Sequence, residues 1–270
     1  MATAFAYCQA MSDEASTLSG LPRLALRYGR RVLGGIVDFV YPPHCVSCGA
    51  ATTRQAALCV SCWSKVRFIE KPFCDILGIP FDRDEGEGML SPLALAEPPV
   101  FSRLRAVALH DGPARNLVHG LKYRDRTDLA PMMAGWMLRA SDGLVSGCDA
   151  IIPVPLHGRR LLMRRFNQSA ELARALARLS GKPLLASALV RIKPTRRQVG
   201  LTARRRAANV RGAFKVRDDR LHEIAGKRLL LIDDVYTTGA TVSSAARALL
   251  RAGALDVSVL TFAMALAKPI

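Results

Sequence analysis

The chain of 270 residues carries 39 Lys and Arg against 22 Asp and Glu, a formal net charge of +17. This length accommodates one α/β domain and a smaller unit, since single domains mostly span roughly 100–150 residues. The charge favours anionic partners such as phosphates, nucleic acid or an anionic membrane surface, although a solvated basic surface is an equally good interpretation.

No stretch approaches the roughly 20 apolar residues of a membrane span, so no membrane-spanning segment is expected. Residues 1–20 do not look like a signal peptide, which predicts a cytoplasmic location.

Composition divides the chain into three regions. Residues 1–41 are predicted to be a tail that ends in a helix. Residues 42–99 are rich in Cys, Pro and Gly, and their acidic, Pro-containing segment 82–99 is predicted to be a loop or linker. From residue 100 to residue 270 the pattern alternates between strands and helices, which predicts an α/β domain with a parallel sheet flanked by helices.

The second region contains two cysteine pairs, Cys45-x2-Cys48 and Cys59-x2-Cys62, separated by ten residues. Disulfides are not expected in the cytosol, whereas paired thiolates at this spacing are the usual tetrahedral ligands of structural zinc. A loop-rich segment without a core of its own would gain its stability from that metal. Unrelated buried thiols are the alternative interpretation, and His44 is a weaker alternative ligand.

The first half of the α/β region predicts six elements up to residue 190. Strands are expected at 103–110 and 149–154, with helices at 114–122 and 127–140 between them. A helix at 167–180, with Leu172, Leu176 and Leu179 on one face, leads to a short strand near 184–190. This order predicts a βαβ unit.

The last part of the chain gives the clearest pattern. Residues 227–232 form an apolar run of the kind buried on both faces of a parallel sheet. A helix is predicted from Ala240, where apolar residues recur at i, i+3, i+4, i+7 and i+8, and Gly253 is expected to cap it. A strand at 257–263 then completes a right-handed crossover.

The segment between this strand and helix is the candidate binding site. Ligands of open parallel sheets bind outside the carboxyl ends of the strands, where loops lead into helix N-termini. Asp233 and Asp234 can accept hydrogen bonds from ribose hydroxyls and help to hold Mg²⁺. Hydroxyls and backbone N–H groups suited to a phosphate follow at Thr237, Thr238, Gly239, Ala240 and Thr241. The alternative is that the acidic pair only ends a strand and that Thr237 or Thr238 only caps a helix.

The apolar strand, acidic pair and Tyr-Thr-Thr-Gly-Ala-Thr turn together resemble the fingerprint of the type I phosphoribosyltransferases. Four further motifs resemble the ComF (competence protein F) family: IPVPLH at 152–157, RFNQ at 165–168, TRRQ at 195–198 and NVRGAF at 209–214. The similarity runs from about residue 41 to residue 263. It implies a type I phosphoribosyltransferase-like fold with a small N-terminal zinc-ribbon module.

The resemblance also implies roles for individual residues. Asp233 and Asp234 would be the catalytic carboxylates of a transferase that uses 5-phosphoribosyl 1-diphosphate with Mg²⁺. The loop after the first core strand would receive the diphosphate, through Pro155, Leu156, His157, Arg159 and Arg160, with Arg164 nearby. A mobile loop would supply Lys193, Arg196, Arg197 and Gln198. Each arginine taken alone could equally belong to a solvated face, and Asn167 is better explained as a helix cap than as a ligand.

Two departures from the family pattern stand out. Arg165 occupies a position where relatives usually have glycine, which would change any close approach of the backbone to a ligand there. A second zinc site of the family's double ribbon would need further cysteine pairs, but only Cys74 is present and Leu77 stands in its partner's place. One zinc is therefore expected.

Two functions are compatible with these features. The first is a phosphoribosyltransferase whose acceptor is unknown, linked through the family to DNA uptake in natural competence. The second is a non-catalytic factor that binds single-stranded DNA and competence machinery proteins and keeps the pocket for sensing or DNA contact. The net charge and the basic residues Arg204, Arg205, Arg206 and Arg211 motivate the second.

Overall fold

A computed structural model describes residues 42–84, 86–123, 125–156, 166–193 and 212–266. The predicted tail and helix at 1–41 lie outside these residues. Six strands are formed within the described part of the chain: β1 (Leu104–Leu109), β2 (Ala150–Pro153), β3 (Leu189–Arg191), β4 (Phe214–Val216), β5 (Arg228–Tyr236) and β6 (Asp256–Met264).

The central element is a parallel sheet of four strands in the order β1-β6-β5-β2. The two central strands are almost wholly buried, as expected for a sheet covered on both faces. This arrangement confirms the predicted parallel sheet and the crossover from β5 to β6. It also brings the carboxyl ends of all four strands to one edge.

Helices flank the sheet on both faces. The described helices are α1 (Val60–Trp63), α2 (Pro92–Ala96), α3 (Gly112–Tyr123), α4 (Ala130–Arg139), α5 (Leu144–Gly147), α6 (Gln168–Ser180), α7 (Leu221–Ile224) and α8 (Ala240–Arg251), with 3₁₀ turns at Thr127–Leu129 and Asp218–Arg220. Helices α3, α4 and α6 bury their apolar faces in one core, and α8 packs into the core on the other face. No helix in these described ranges is long and apolar enough to cross a membrane.

Four sequence predictions need correction. Strand β5 continues through Tyr236 because its hydrogen-bond ladder with β6 extends to the Tyr236–Met264 pair, so the acidic pair lies inside the strand. The strand expected at 184–190 does not join the parallel sheet: Leu184 makes one isolated bridge to β2, and β3 pairs antiparallel with β4. Segment 82–99 contains helix α2, which Ser91 caps. Leu179 is 53% exposed and does not share the buried face of α6.

The cysteine-containing region is attached to the sheet by backbone hydrogen bonds. The Ile69 N–H donates to the Val107 carbonyl, and the Leu109 N–H donates to the Arg67 carbonyl, each at 2.9 Å. Phe68 forms an antiparallel bridge with Ala108 of β1. The small module therefore extends the edge of the sheet, which reduces the exposure of the β1 backbone.

Candidate functional site

A cavity of about 340 Å³ opens at the carboxyl edge of the sheet. Its walls come from the ends of β1, β2, β3 and β5 and from helices α3, α6 and α8. Residues of both predicted groups, the acidic pair and the turn before α8, line it together: Asp233, Asp234, Thr237, Gly239, Ala240 and Thr241. The structure thus brings the predicted carboxylates and helix N-terminus to one space.

The two carboxylates have different partners. Asp233 Oδ1 accepts hydrogen bonds from the Ser169 hydroxyl at 2.8 Å and from the Asp234 backbone N–H at 2.9 Å. Asp234 Oδ1 lies 2.9 Å from the Lys122 ammonium, in an ion pair whose side chains are mostly buried. Lys122 belongs to α3, so this pair connects the helix after β1 to the acidic pair.

These surroundings change the acidity of Asp233. Burial and the adjacent charge of Asp234 raise the pKa of Asp233 to about 7, although Lys122 and the Ser169 hydroxyl partly offset the rise. The Asp233 carboxyl is therefore partly protonated near neutral pH. A cation or a set of sugar hydroxyls that stabilises the ionised pair would displace that proton.

The turn before α8 depends on Gly239. This residue has φ +71°, and a Cβ added to it would lie 2.8 Å from the Tyr236 hydroxyl. Gly239 is also the N-cap of α8, and no side chain caps the helix. The N-cap position is therefore held by Gly239 and not by Thr237 or Thr238, and the first turn of α8 lies at the cavity wall.

Helix α6 begins beside the same cavity. The Asn167 side chain accepts a hydrogen bond from the Ser169 N–H at 3.1 Å and donates to the Val154 carbonyl at 2.9 Å, which confirms its capping role. Because Ser169 in turn donates to Asp233, this cap links the end of β2 to the acidic pair.

Several predicted site residues fall outside the described part of the chain. These are His157, Arg159, Arg160, Arg164, Arg165, Arg196, Arg197 and Gln198, together with the basic residues Arg204, Arg205, Arg206 and Arg211. Leu156 lines the cavity, whereas the lining residues do not include Pro155, Thr238 or Lys193. The Lys193 ammonium lies beside Gly212.

One wall of the cavity was not anticipated from the sequence. It is formed by residues of α3 and the preceding strand end: His110, His119, Lys122 and Tyr123. Arg191 of β3 also lines the cavity and packs its guanidinium over the Phe214 ring. Helical periodicity marked α3 only as a packing element, and no sequence signal showed that its last turn reaches the acidic pair.

The four paired cysteines converge as predicted. The sulfur atoms of Cys45, Cys48, Cys59 and Cys62 all lie within 4.8 Å of one another, and those of Cys48 and Cys59 are 3.7 Å apart. Tetrahedral zinc with Zn–S bonds of about 2.3 Å would hold sulfurs about 3.8 Å apart. The donor set and spacing therefore fit structural Zn²⁺.

The second half of the zinc-ribbon module is built around one buried cysteine, Cys74. Cys74 is fully buried, and its sulfur accepts hydrogen bonds from the backbone N–H groups of Leu77 at 3.4 Å and Ser91 at 3.2 Å. Leu77 and Ala94 are buried in the same core cluster. Apolar packing thus occupies this half, and the described residues contain no second cluster of metal-ligating side chains.

Comparison with known proteins agrees with both parts of the fold. The family model of a double zinc ribbon domain matches residues 36–92, and that of a phosphoribosyl transferase domain matches residues 170–269. A solved structure of glutamine phosphoribosylpyrophosphate amidotransferase from Bacillus subtilis aligns at 21% identity over 53% of this chain and 30% of that chain, with a TM-score of 0.34. The two matching family models show a phosphoribosyltransferase-like protein with an N-terminal zinc ribbon.

Full-length relatives identify the family more narrowly. DNA utilization protein YhgH of Salmonella typhi is 32% identical over 221 residues, which cover 80% of this chain and 87% of the relative. Competence protein F of Haemophilus influenzae is 36% identical over 111 residues, 41% of this chain and 48% of the relative. The chain belongs to the family of YhgH and competence protein F, as the sequence motifs predicted.

Proposed function

We propose that this protein binds 5-phosphoribosyl 1-diphosphate, or a closely related ribose phosphate, together with Mg²⁺ in the cavity at the carboxyl edge of the sheet. Asp233 and Asp234 accept hydrogen bonds from the ribose hydroxyls, and the turn from Thr237 to Thr241 holds the 5-phosphate. The family resemblance assigns further diphosphate contacts to Leu156, which lines the cavity, and to residues outside the described ranges: His157, Arg159, Arg160, Arg196, Arg197 and Gln198. Bound Mg²⁺ neutralises diphosphate charge.

One observation carries this proposal. The acidic pair and the N-terminus of α8 line a single cavity, so acceptors for sugar hydroxyls and donors for a phosphate face one ligand. The carboxylates suit a sugar and would repel a phosphate, whereas the helix N-terminus suits a phosphate. A sugar phosphate satisfies both. The resulting reaction class is transfer of the phosphoribosyl group to an acceptor, and the names of the relatives support a role in DNA handling or natural transformation.

Calorimetric titration of the full-length protein with 5-phosphoribosyl 1-diphosphate tests the proposal. We expect binding that requires Mg²⁺ and that weakens roughly 10–100-fold in Asp234→Asn, because hydrogen bonds to a charged acceptor are lost. Asp256→Asn is the matched control, since Asp256 begins β6 at the opposite edge of the sheet. Absence of binding, or equal binding by Asp234→Asn, contradicts the proposal.

A second candidate function is binding of single-stranded DNA beside the zinc module. Trp63 is 41% exposed, and its ring lies 5.1 Å from Phe68 and 4.8 Å from Trp136. These rings border a second cavity that exposed Lys71 and Arg139 also line. Aromatic faces beside cations are the usual platform for unstacked bases and their phosphates.

Fluorescence anisotropy with a labelled oligothymidylate tests this candidate. We expect affinity that falls as salt rises, because phosphate contacts release counterions, and a loss of roughly 1–3 kcal/mol in Trp63→Ala. Val60→Ala is the control, since Val60 is an exposed apolar residue of the same short helix. Salt-independent binding, or no binding, would exclude the DNA-binding role.

A further inference from the structure

The wall of the cavity that α3 and the residue after β1 form has the chemistry of an acceptor site. His110 directly follows β1, and its backbone N–H donates to the Met264 carbonyl at 2.8 Å, which fixes its position beside the cavity. The His110 and His119 rings are 6.3 Å apart, and the His119 ring meets Tyr123 edge-on at 5.5 Å. The proposed function leaves these three rings without a role.

We propose that His110 is the catalytic base that takes the proton of the acceptor, and that His119 and Tyr123 hold the acceptor, a nitrogen nucleophile carried on a planar ring. This inference rests on the proposed binding of 5-phosphoribosyl 1-diphosphate. The acceptor nitrogen forms a bond to the anomeric carbon, and the bond from that carbon to the diphosphate oxygen breaks. Diphosphate leaves with the electron pair, and the proton of the nitrogen passes to an imidazole nitrogen of His110.

The charge environment keeps His110 in the form that accepts a proton. Burial, followed by the positive charges of Lys122, His119 and Arg115, lowers the pKa of His110 below its usual 6.5, although Asp234 opposes the change. All three cationic groups come from α3. The other charged groups that line the cavity are Asp233 on β5 and Arg191 on β3. A neutral imidazole at neutral pH is the state that general base catalysis requires.

The ring surfaces argue for the acceptor class. Tyr123 is 64% exposed and His119 is also exposed, so both present flat aromatic faces at the cavity. A planar heterocycle can stack on such faces, whereas an aliphatic amine gains little there. The acidic pair also lines this cavity, and its carboxylates would attract the hydroxyls of the sugar and not the acceptor ring.

The test measures diphosphate release from 5-phosphoribosyl 1-diphosphate and Mg²⁺ by the full-length protein, with adenine, orotate, nicotinate or anthranilate as acceptor probes. In His110→Gln we expect kcat to fall roughly 100–10,000-fold while ligand affinity in calorimetry is unchanged. The wild-type kcat, measured with saturating 5-phosphoribosyl 1-diphosphate and Mg²⁺ so that Asp233 is already ionised by the bound ligand, should decline below a midpoint under pH 6.5, and this acidic limb should be absent in the variant. His119→Gln should raise the KM of the acceptor and keep the acidic limb. His222→Gln, on α7, is the control and should leave every parameter unchanged.

The outcomes separate the two proposals. No binding of 5-phosphoribosyl 1-diphosphate overturns the proposed function and with it this inference. Binding with no turnover of any probe overturns the acceptor site alone. If His110→Gln turns over a probe as fast as the wild-type protein and its pH profile keeps the acidic limb, the role of His110 is overturned and the acceptor site is not.

Discussion

Cys62→Ser is expected to release the bound zinc and to unfold the segment that contains the two cysteine pairs. Cys62 is buried, and the segment around the four sulfurs consists mainly of turns and one short helix. Structural zinc contributes roughly 10–16 kcal/mol of binding free energy to domains of this kind, so its loss cannot be compensated by local packing. Trp63 follows Cys62 directly and should lose its contacts with Phe68 and Trp136.

Zinc content and tryptophan fluorescence measure this effect. The wild-type protein should contain one zinc per chain by a colorimetric assay after thiol modification, and Cys62→Ser should contain none and show altered emission. Cys74→Ala is the matched control: it removes a buried thiol from the other half of the module and should retain one zinc. Two zinc ions per wild-type chain, or loss of zinc in Cys74→Ala, would refute the assignment of a single metal site.

Asp233→Asn is expected to change stability and ligand affinity in opposite directions. Asp233 is held beside Asp234 with its pKa raised to about 7, so ionising it at pH 8 costs the folded protein free energy. Asparagine removes that cost and should raise the melting temperature by about 4–8 °C, the rise that roughly 2 kcal/mol gives in a domain of this size. The same change removes an acceptor for the ribose and should weaken binding of 5-phosphoribosyl 1-diphosphate roughly 10–100-fold.

The raised pKa of Asp233 determines how the stability gain of Asp233→Asn depends on pH. Below pH 3.8 the carboxyl is protonated in both the folded and the unfolded state, so the substitution has no electrostatic effect there. As pH rises towards 7 the unfolded state loses its proton first, and the wild-type protein loses stability relative to the variant. The gain should therefore be absent near pH 4 and complete above about pH 7.

Differential scanning fluorimetry at pH 4 and pH 8 checks this expectation. Asp256→Asn is the control, because this carboxylate accepts hydrogen bonds from the Ser102 and Ser258 hydroxyls at the opposite edge of the sheet. It should show no comparable gain at pH 8. A gain for Asp233→Asn that is equal at both pH values would mean that burial of the charge is not its cause.

The local patterns of the sequence predicted the parts of this protein that local chemistry controls. Apolar runs identified β5 and β6, amphipathic periodicity identified α6 and α8, and cysteine spacing identified the cluster of four cysteines. Each of these features depends on residues close in the chain. A strand buried on both faces needs a continuous apolar run, and a cysteine pair that binds a metal has two residues between its thiols. The acidic pair and the turn before α8 were recognisable for the same reason.

Only the tertiary structure decided which distant groups share the cavity. The last turn of α3 brings Lys122 to Asp234, and the start of α6 brings Ser169 to Asp233, across 112 and 64 residues of chain. The extent of β5 was also decided by its partner, since pairing with β6 continues past the apolar run. Periodicity specifies which face of a helix is buried, but the packing of the whole sheet sets where the end of that helix lies, and the acidity of Asp233 depends on those neighbours.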